Sequence, residues 1–230
     1  MAVGAYAELG TINPTFFFRR NKFGSWNRET FSSLTNDRYR SVSKVAIGGE
    51  DAFLALTTLT SLPYQVENDG VVFLFQDLGS GTMTLFQKLK SKDYDCKYFG
   101  KTAEILGDGS IMLSCMAQDD IGSILYFNKT DVDDTQYTLQ QTVYDGAASN
   151  NNDWFAADGT SNDKALAIHR GSSTIGFYAS SSGEEWNEAT LANPINGSTS
   201  EGSIAVSESA MLVQTADNVH VYKLDESDEC

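Results

Sequence analysis

Proline, histidine and positive charge are all scarce in this chain. Its 230 residues include three prolines, two histidines and 16 lysines and arginines against 31 acids. The net charge of -15 argues against nucleic acid as the main partner, because phosphate binding needs a positive surface. It favours solubility and mutual repulsion instead. No apolar run approaches the roughly 18 residues of a membrane-spanning helix. The opening Met1–Gly10 has neither the basic start nor the long apolar stretch of a secretory leader.

Cysteine is also sparse. Cys96, Cys115 and Cys230 permit at most one internal disulfide, and no Cys/His spacing resembles a zinc site. Cys115 lies among apolar residues and is expected as a buried thiol. Cys96 sits in a polar stretch and is open to bridging.

What is present points to β-structure. Hydrophobic residues make up 41% of the chain, enough for a sizeable core, and β-branched, aromatic, Gly and Ser residues suit short strands joined by turns. One six-residue pattern recurs five times: Asn13-PTFF-Phe18, Gly70-VVFL-Phe75, Gly122-SILY-Phe127, Ser173-TIGF-Tyr178 and Asp217-NVHV-Tyr222. The intervals between their last residues are 57, 52, 51 and 44. A second pattern follows it. Met83-TLFQK-Leu89 and Tyr137-TLQQT-Val143 align position for position, and Trp26-NRET-Phe31 and Trp186-NEAT-Leu191 are versions one residue shorter. A hairpin precedes it, turning at Gly48-Gly49-Glu50-Asp51 and at Gly107-Asp108-Gly109-Ser110; a looser copy runs from Trp154 to Ile168.

With the hairpin strands named A and B, the aromatic-ended strand C and the following strand D, the chain reads B-C-D, then A-B-C-D three times, then A-B-C. That predicts about 18 strands and no long helix. A four-stranded meander cannot bury both faces alone, whereas radial stacking of such sheets buries them and protects their edges. The expected fold is therefore an all-β propeller of about five four-stranded antiparallel blades, in one domain over 1–224 followed by an acidic tail at 225–230. The repeats fall at about 1–38, 39–93, 94–145, 146–195 and 196–224. The strand count leaves open a closed five-bladed ring, which is preferred, or part of a larger one. A β-sandwich would not require one pattern five times.

The residues resemble FG-GAP repeats, the family that includes the integrin α-chain propeller. Tyr98-FGKTAEILGDGSIMLSCMAQDDIGSILYF is similar to that family's order of a Phe-Gly opening, a Gly-Asp turn, an apolar strand, an acidic loop and Gly-x-x-x-Tyr-Phe. Phe-Gly occurs only at Phe99-Gly100, and the Gly-Ala-Pro ending is reduced to Gly4-Ala5-Tyr6. The resemblance implies a rigid disc whose loop faces engage protein partners, in a secreted or organelle-lumen setting. Its calcium loops have their nearest counterpart in Asp131, Asp133 and Asp134, which lack the following Gly; a solvated acidic turn is the better reading, and no cofactor is expected.

Catalytic signatures are thin. His169 and His220 fall on strands with no Ser or Cys partner that the sequence places beside them, and no Gly-x-Ser-x-Gly elbow occurs. A non-enzymatic, protein-binding module is expected, either of adhesion type or as a structural subunit of a multi-subunit assembly. A lectin-like propeller is the alternative. Trp26, Trp154 and Trp186 are its candidate stacking residues, although Trp26 and Trp186 share one repeat position that favours packing. Two sequons, at Asn128 and Asn196, are close to chance. Charge is uneven: residues 1–40 hold six basic and three acidic residues, +3, leaving -18 on the other 190. The basic patch Arg19, Arg20, Lys22, Phe23 and Arg28 is the candidate partner-binding site.

Overall fold

The computed structural model describes residues 2–4, 15–20, 23–31, 42–48, 53–59, 70–77, 82–97, 99–100, 102–117, 122–129, 136–146, 154–159, 164–170, 174–180, 185–189, 204–207, 210–214 and 218–223. Their regular structure is β throughout, apart from one 3-10 turn at Ser91–Asp93. No helix among the described residues is long and apolar enough to cross a membrane.

Five antiparallel meanders follow one another. The first holds β1 (Ala2–Gly4), β2 (Thr15–Arg20) and β3 (Trp26–Phe31). The second holds β4 (Val42–Gly48), β5 (Phe53–Leu59), β6 (Gly70–Asp77) and β7 (Thr82–Lys90). In the third, β8 (Cys96–Lys97) and β9 (Ala103–Ile105) both pair with β10 (Ile111–Ala117), followed by β11 (Gly122–Asn128) and β12 (Thr138–Gly146). The fourth holds β13 (Trp154–Gly159), β14 (Lys164–Arg170), β15 (Thr174–Ser180) and β16 (Asn187–Ala189). The fifth holds β17 (Ile204–Val206), β18 (Ala210–Gln214) and β19 (Val219–Lys223).

The sheets depart from a set of equal four-stranded blades, having seven, five, four and three strands. The outer strands of the first two meanders join in parallel, Thr30 opposite Thr82 and Phe31 opposite Met83. Each strand thereby pairs backbone groups that would otherwise lie on an open edge. In the third meander the first strand is broken around Phe99–Gly100. There Gly100 N donates to Ser114 O (2.8 Å), Ser114 N to Thr102 O (3.0 Å) and Thr102 N to Ser114 Oγ (2.8 Å). The break lets the backbone at Phe99 press against Gly70, where a Cβ would lie 3.0 Å from the Phe99 carbonyl carbon and closer still to its oxygen. Only glycine fits there.

Cys96 and Cys115 form a disulfide across this break, with Cα atoms 5.4 Å apart. This corrects the reading of Cys115 as a buried thiol: β10 pairs antiparallel with β8, Ala117 opposite Cys96, and brings the two sulfurs together. Closing a loop of this length contributes about 3 kcal/mol in the chain-entropy account. Cys230 lies outside the described residues.

Apolar layers fill the space between successive meanders. Val72, Leu74 and Leu89 of the second meet Ile111, Leu113, Leu125 and Phe127 of the third. Met112, Ile124, Tyr126 and Val143 of the third meet Leu166, Tyr178 and Trp186 of the fourth. Ala165 of the fourth meets Met211 and Val213 of the fifth. Hence Val71–Phe75 and Ile124–Phe127 are continuous buried runs, covered on both faces. The first strands β4, β9, β13 and β17 touch in succession.

Candidate functional site

A repeated clasp holds the outer strands of neighbouring meanders. Gln87 Nε2 donates to Tyr137 O (3.0 Å) while Tyr137 N donates to Gln87 Oε1 (2.7 Å). Gln141 does the same with Trp186, at 3.2 and 3.0 Å. Both glutamines follow a register shift that skips Phe86 in β7 and Gln140 in β12. β12 carries a second shift, at Val143, whereas β3 and β16 pair without one. The shift before each glutamine leaves Gln87 opposite Leu74 and Gln141 opposite Tyr126, the residues that face the next meander.

A buried polar node lies between the third and fourth meanders. Lys164 Nζ is 2.8 Å from Asp108 Oδ2, donates to Tyr126 Oη (2.6 Å) and to Ser110 Oγ (3.5 Å), and sits 4.8 Å from the Tyr126 ring centre. Ser110 Oγ and N both donate to Asp108 Oδ1 (2.6 and 2.9 Å), and Asn128 Nδ2 donates to Tyr126 Oη (3.4 Å). The turn that presents Asp108 is closed by Leu106 and Ser110, has Gly109 at φ 85°, and receives the Tyr137 hydroxyl at Gly109 O (2.7 Å). A serine, a lysine and a tyrosine in contact invite comparison with a nucleophile and its base. Here the Lys164 ammonium is engaged by a carboxylate and the Ser110 proton points to that same carboxylate. Ser110, Tyr126 and Lys164 are all buried. The arrangement fastens one sheet to the next.

The sequence-derived patch occupies the β2–β3 hairpin. Arg19 and Arg20 are on β2, opposite Asn27 and Trp26, and Arg28 is opposite Phe18. Phe23 stands at the tip, 82% exposed, beside Gly24 at φ 86°, and Arg28 is exposed. Lys22 lies outside the described residues, as do Asp131, Asp133, Asp134 and Asn196. His220 is half-buried on β19, opposite Val213.

Two of the tryptophans differ sharply in exposure. Trp186 is 3% exposed, as its repeat position predicts, whereas Trp26 at the equivalent position is 54% exposed. A second exposed apolar group escaped the sequence reading: Leu212, Val219 and Val221 on the fifth meander are 43%, 62% and 65% exposed. Alternation placed Leu212 on β18 and Val219 and Val221 on β19 but carried no signal of which face would be exposed. Protein-family models and curated proteins alike give no match to this chain.

Proposed function

We propose that the chain is a non-catalytic protein-binding module of β-propeller type, either an adhesion-type module or a structural subunit of a larger assembly. The propeller reading is supported by the contacts that link the first strands β4, β9, β13 and β17 in sequence, as strands around a common axis would be linked. Binding is assigned to the β2–β3 hairpin on one observation: an exposed aromatic, Phe23, at the tip of a basic segment of an otherwise acidic protein. A large exposed aromatic on a hairpin whose strands carry arginines offers both an anchor and the steering charge that protein interfaces use. The FG-GAP resemblance and a setting outside the reducing cytosol belong to the same reading, and the Cys96–Cys115 disulfide favours the latter.

The test is capture of partners from the native source with the wild-type chain and with Arg19→Glu/Arg20→Glu/Lys22→Glu. A partner retained by the first and lost by the second is expected, with unchanged circular dichroism. Equal recovery by both removes the hairpin from consideration.

A further inference from the structure

Exposed apolar residues of the first and fifth meanders fall at positions that are buried in other meanders. Strand registers make this explicit. Met112, Ile124 and Tyr126 form the face of the third meander on which the fourth packs. Phe127, next to last in β11, lies opposite Ile111, and Tyr222, next to last in β19, lies opposite Met211. Counting from these pairs, the counterparts of Met112, Ile124 and Tyr126 in the fifth meander are Leu212, Val219 and Val221. In the third meander these positions are buried; in the fifth they are exposed. The opposite face of the fifth meander is already used, by Met211 and Val213 against Ala165.

The same comparison explains Trp26. Tyr137 and Trp186 immediately precede β12 and β16 and are buried against the preceding meander, whose glutamine clasps their backbone. Trp26 holds this position in the first meander and is exposed. Thus the first meander presents the side that elsewhere receives a preceding sheet, and the fifth presents the side that elsewhere receives a following one. The two stretches of sequence are also opposite in net charge. Residues 1–40 carry +3, whereas residues 204–230 hold six acids against Lys223 alone.

We propose that this chain associates head to tail with a second copy of itself, the Trp26 side of the first meander of one molecule packing on the Leu212–Val219–Val221 face of the other. The contact continues the face-to-face packing that already joins the meanders within one molecule. Because the two surfaces differ, the interface is heterologous and generates rings or filaments. The inference rests on the protein-binding reading. A chain that stayed monomeric yet captured a different protein through its hairpin would sink the inference alone.

Sedimentation velocity on the full chain over a wide concentration range tests it, with a tail variant, Leu212→Asp/Val221→Asp, and a head variant, Trp26→Asp. These positions are exposed, so unchanged melting temperatures are expected. The wild-type chain should self-associate, more weakly as salt rises. Each variant alone should associate roughly thirtyfold more weakly or worse. Mixed, they should form a one-to-one complex, because each retains the surface the other has lost. Wild-type chain that is monomeric throughout overturns the proposal. So does undiminished association of either variant, or a mixture that fails to combine.

Discussion

Gln87 and Tyr137 are fifty residues apart, and each both donates to and accepts from the other, the side-chain amide of one pairing with the backbone of the next. A side-chain amide carries a donor and an acceptor side by side, so it can satisfy an N–H and a C=O together. Replacing Gln87 by Ala removes both of these bonds to Tyr137, in a part-buried setting. Roughly 1–3 kcal/mol of stability should be lost, read as a lower urea midpoint. Gln141→Ala should cost a similar amount at the next interface, and the two losses should add, since the clasps share no partner. A Gln87→Ala chain as stable as wild type would mean that water replaces the amide.

Gly70→Ala places a methyl group against the Phe99 carbonyl, whose backbone is held by the Gly100–Ser114 bond. The atoms it meets are Phe99 backbone, not a flexible side chain. A loss of about 1–3 kcal/mol is expected from forced displacement, visible as a lower melting temperature. Gly109→Ala meets only the Tyr137 hydroxyl at 3.8 Å but carries φ 85°, so its cost comes from backbone strain and should be smaller.

Asp108→Asn strips the counter-charge from a lysine whose side chain is fully buried. Breaking a buried pair from one side typically costs about 3–5 kcal/mol. Lys164→Met removes the charge and keeps an apolar stem, and the Asp108 left behind reaches solvent in part. Lys164→Met should therefore be milder, and the double variant should be more stable than Asp108→Asn alone. Urea melts of the three variants decide it. A double variant no better than Asp108→Asn would show that the charge is not what matters.

Tyr94 stacks on Phe99 at 5.4 Å and meets Phe127 edge-on at 5.1 Å. Burial, and then the Asp93 charge, raise its hydroxyl above the ordinary tyrosine value of 10.0. Burial acts in the same direction on Tyr222. A phenol harder to ionise when folded lends stability that is intact below the unfolded value. That stability is lost as pH climbs past about 10 toward the folded value. The alkaline limb of the stability curve should thus flatten in Tyr94→Phe, measured by urea midpoints at rising pH. An unaltered limb would place the alkaline loss elsewhere.

Sequence alone determined the strands and their order. Alternation ending on an aromatic marks Phe75, Phe127, Tyr178 and Tyr222 as strand residues, and the turn Gly107–Ser110 falls where the sequence puts it. Both are local: a two-residue period and turn chemistry are properties of neighbouring residues. Tertiary structure decided what depends on residues far apart. It paired Cys115 with Cys96, buried Lys164 beside Asp108, and joined β3 to β7 in parallel. It also made Trp186 a core residue while leaving Trp26 in solvent. Those two tryptophans open similar sequences, and what separates them is whether a preceding sheet lies against them. Burial belongs to the neighbourhood a side chain is folded into, and no stretch of its own strand encodes that.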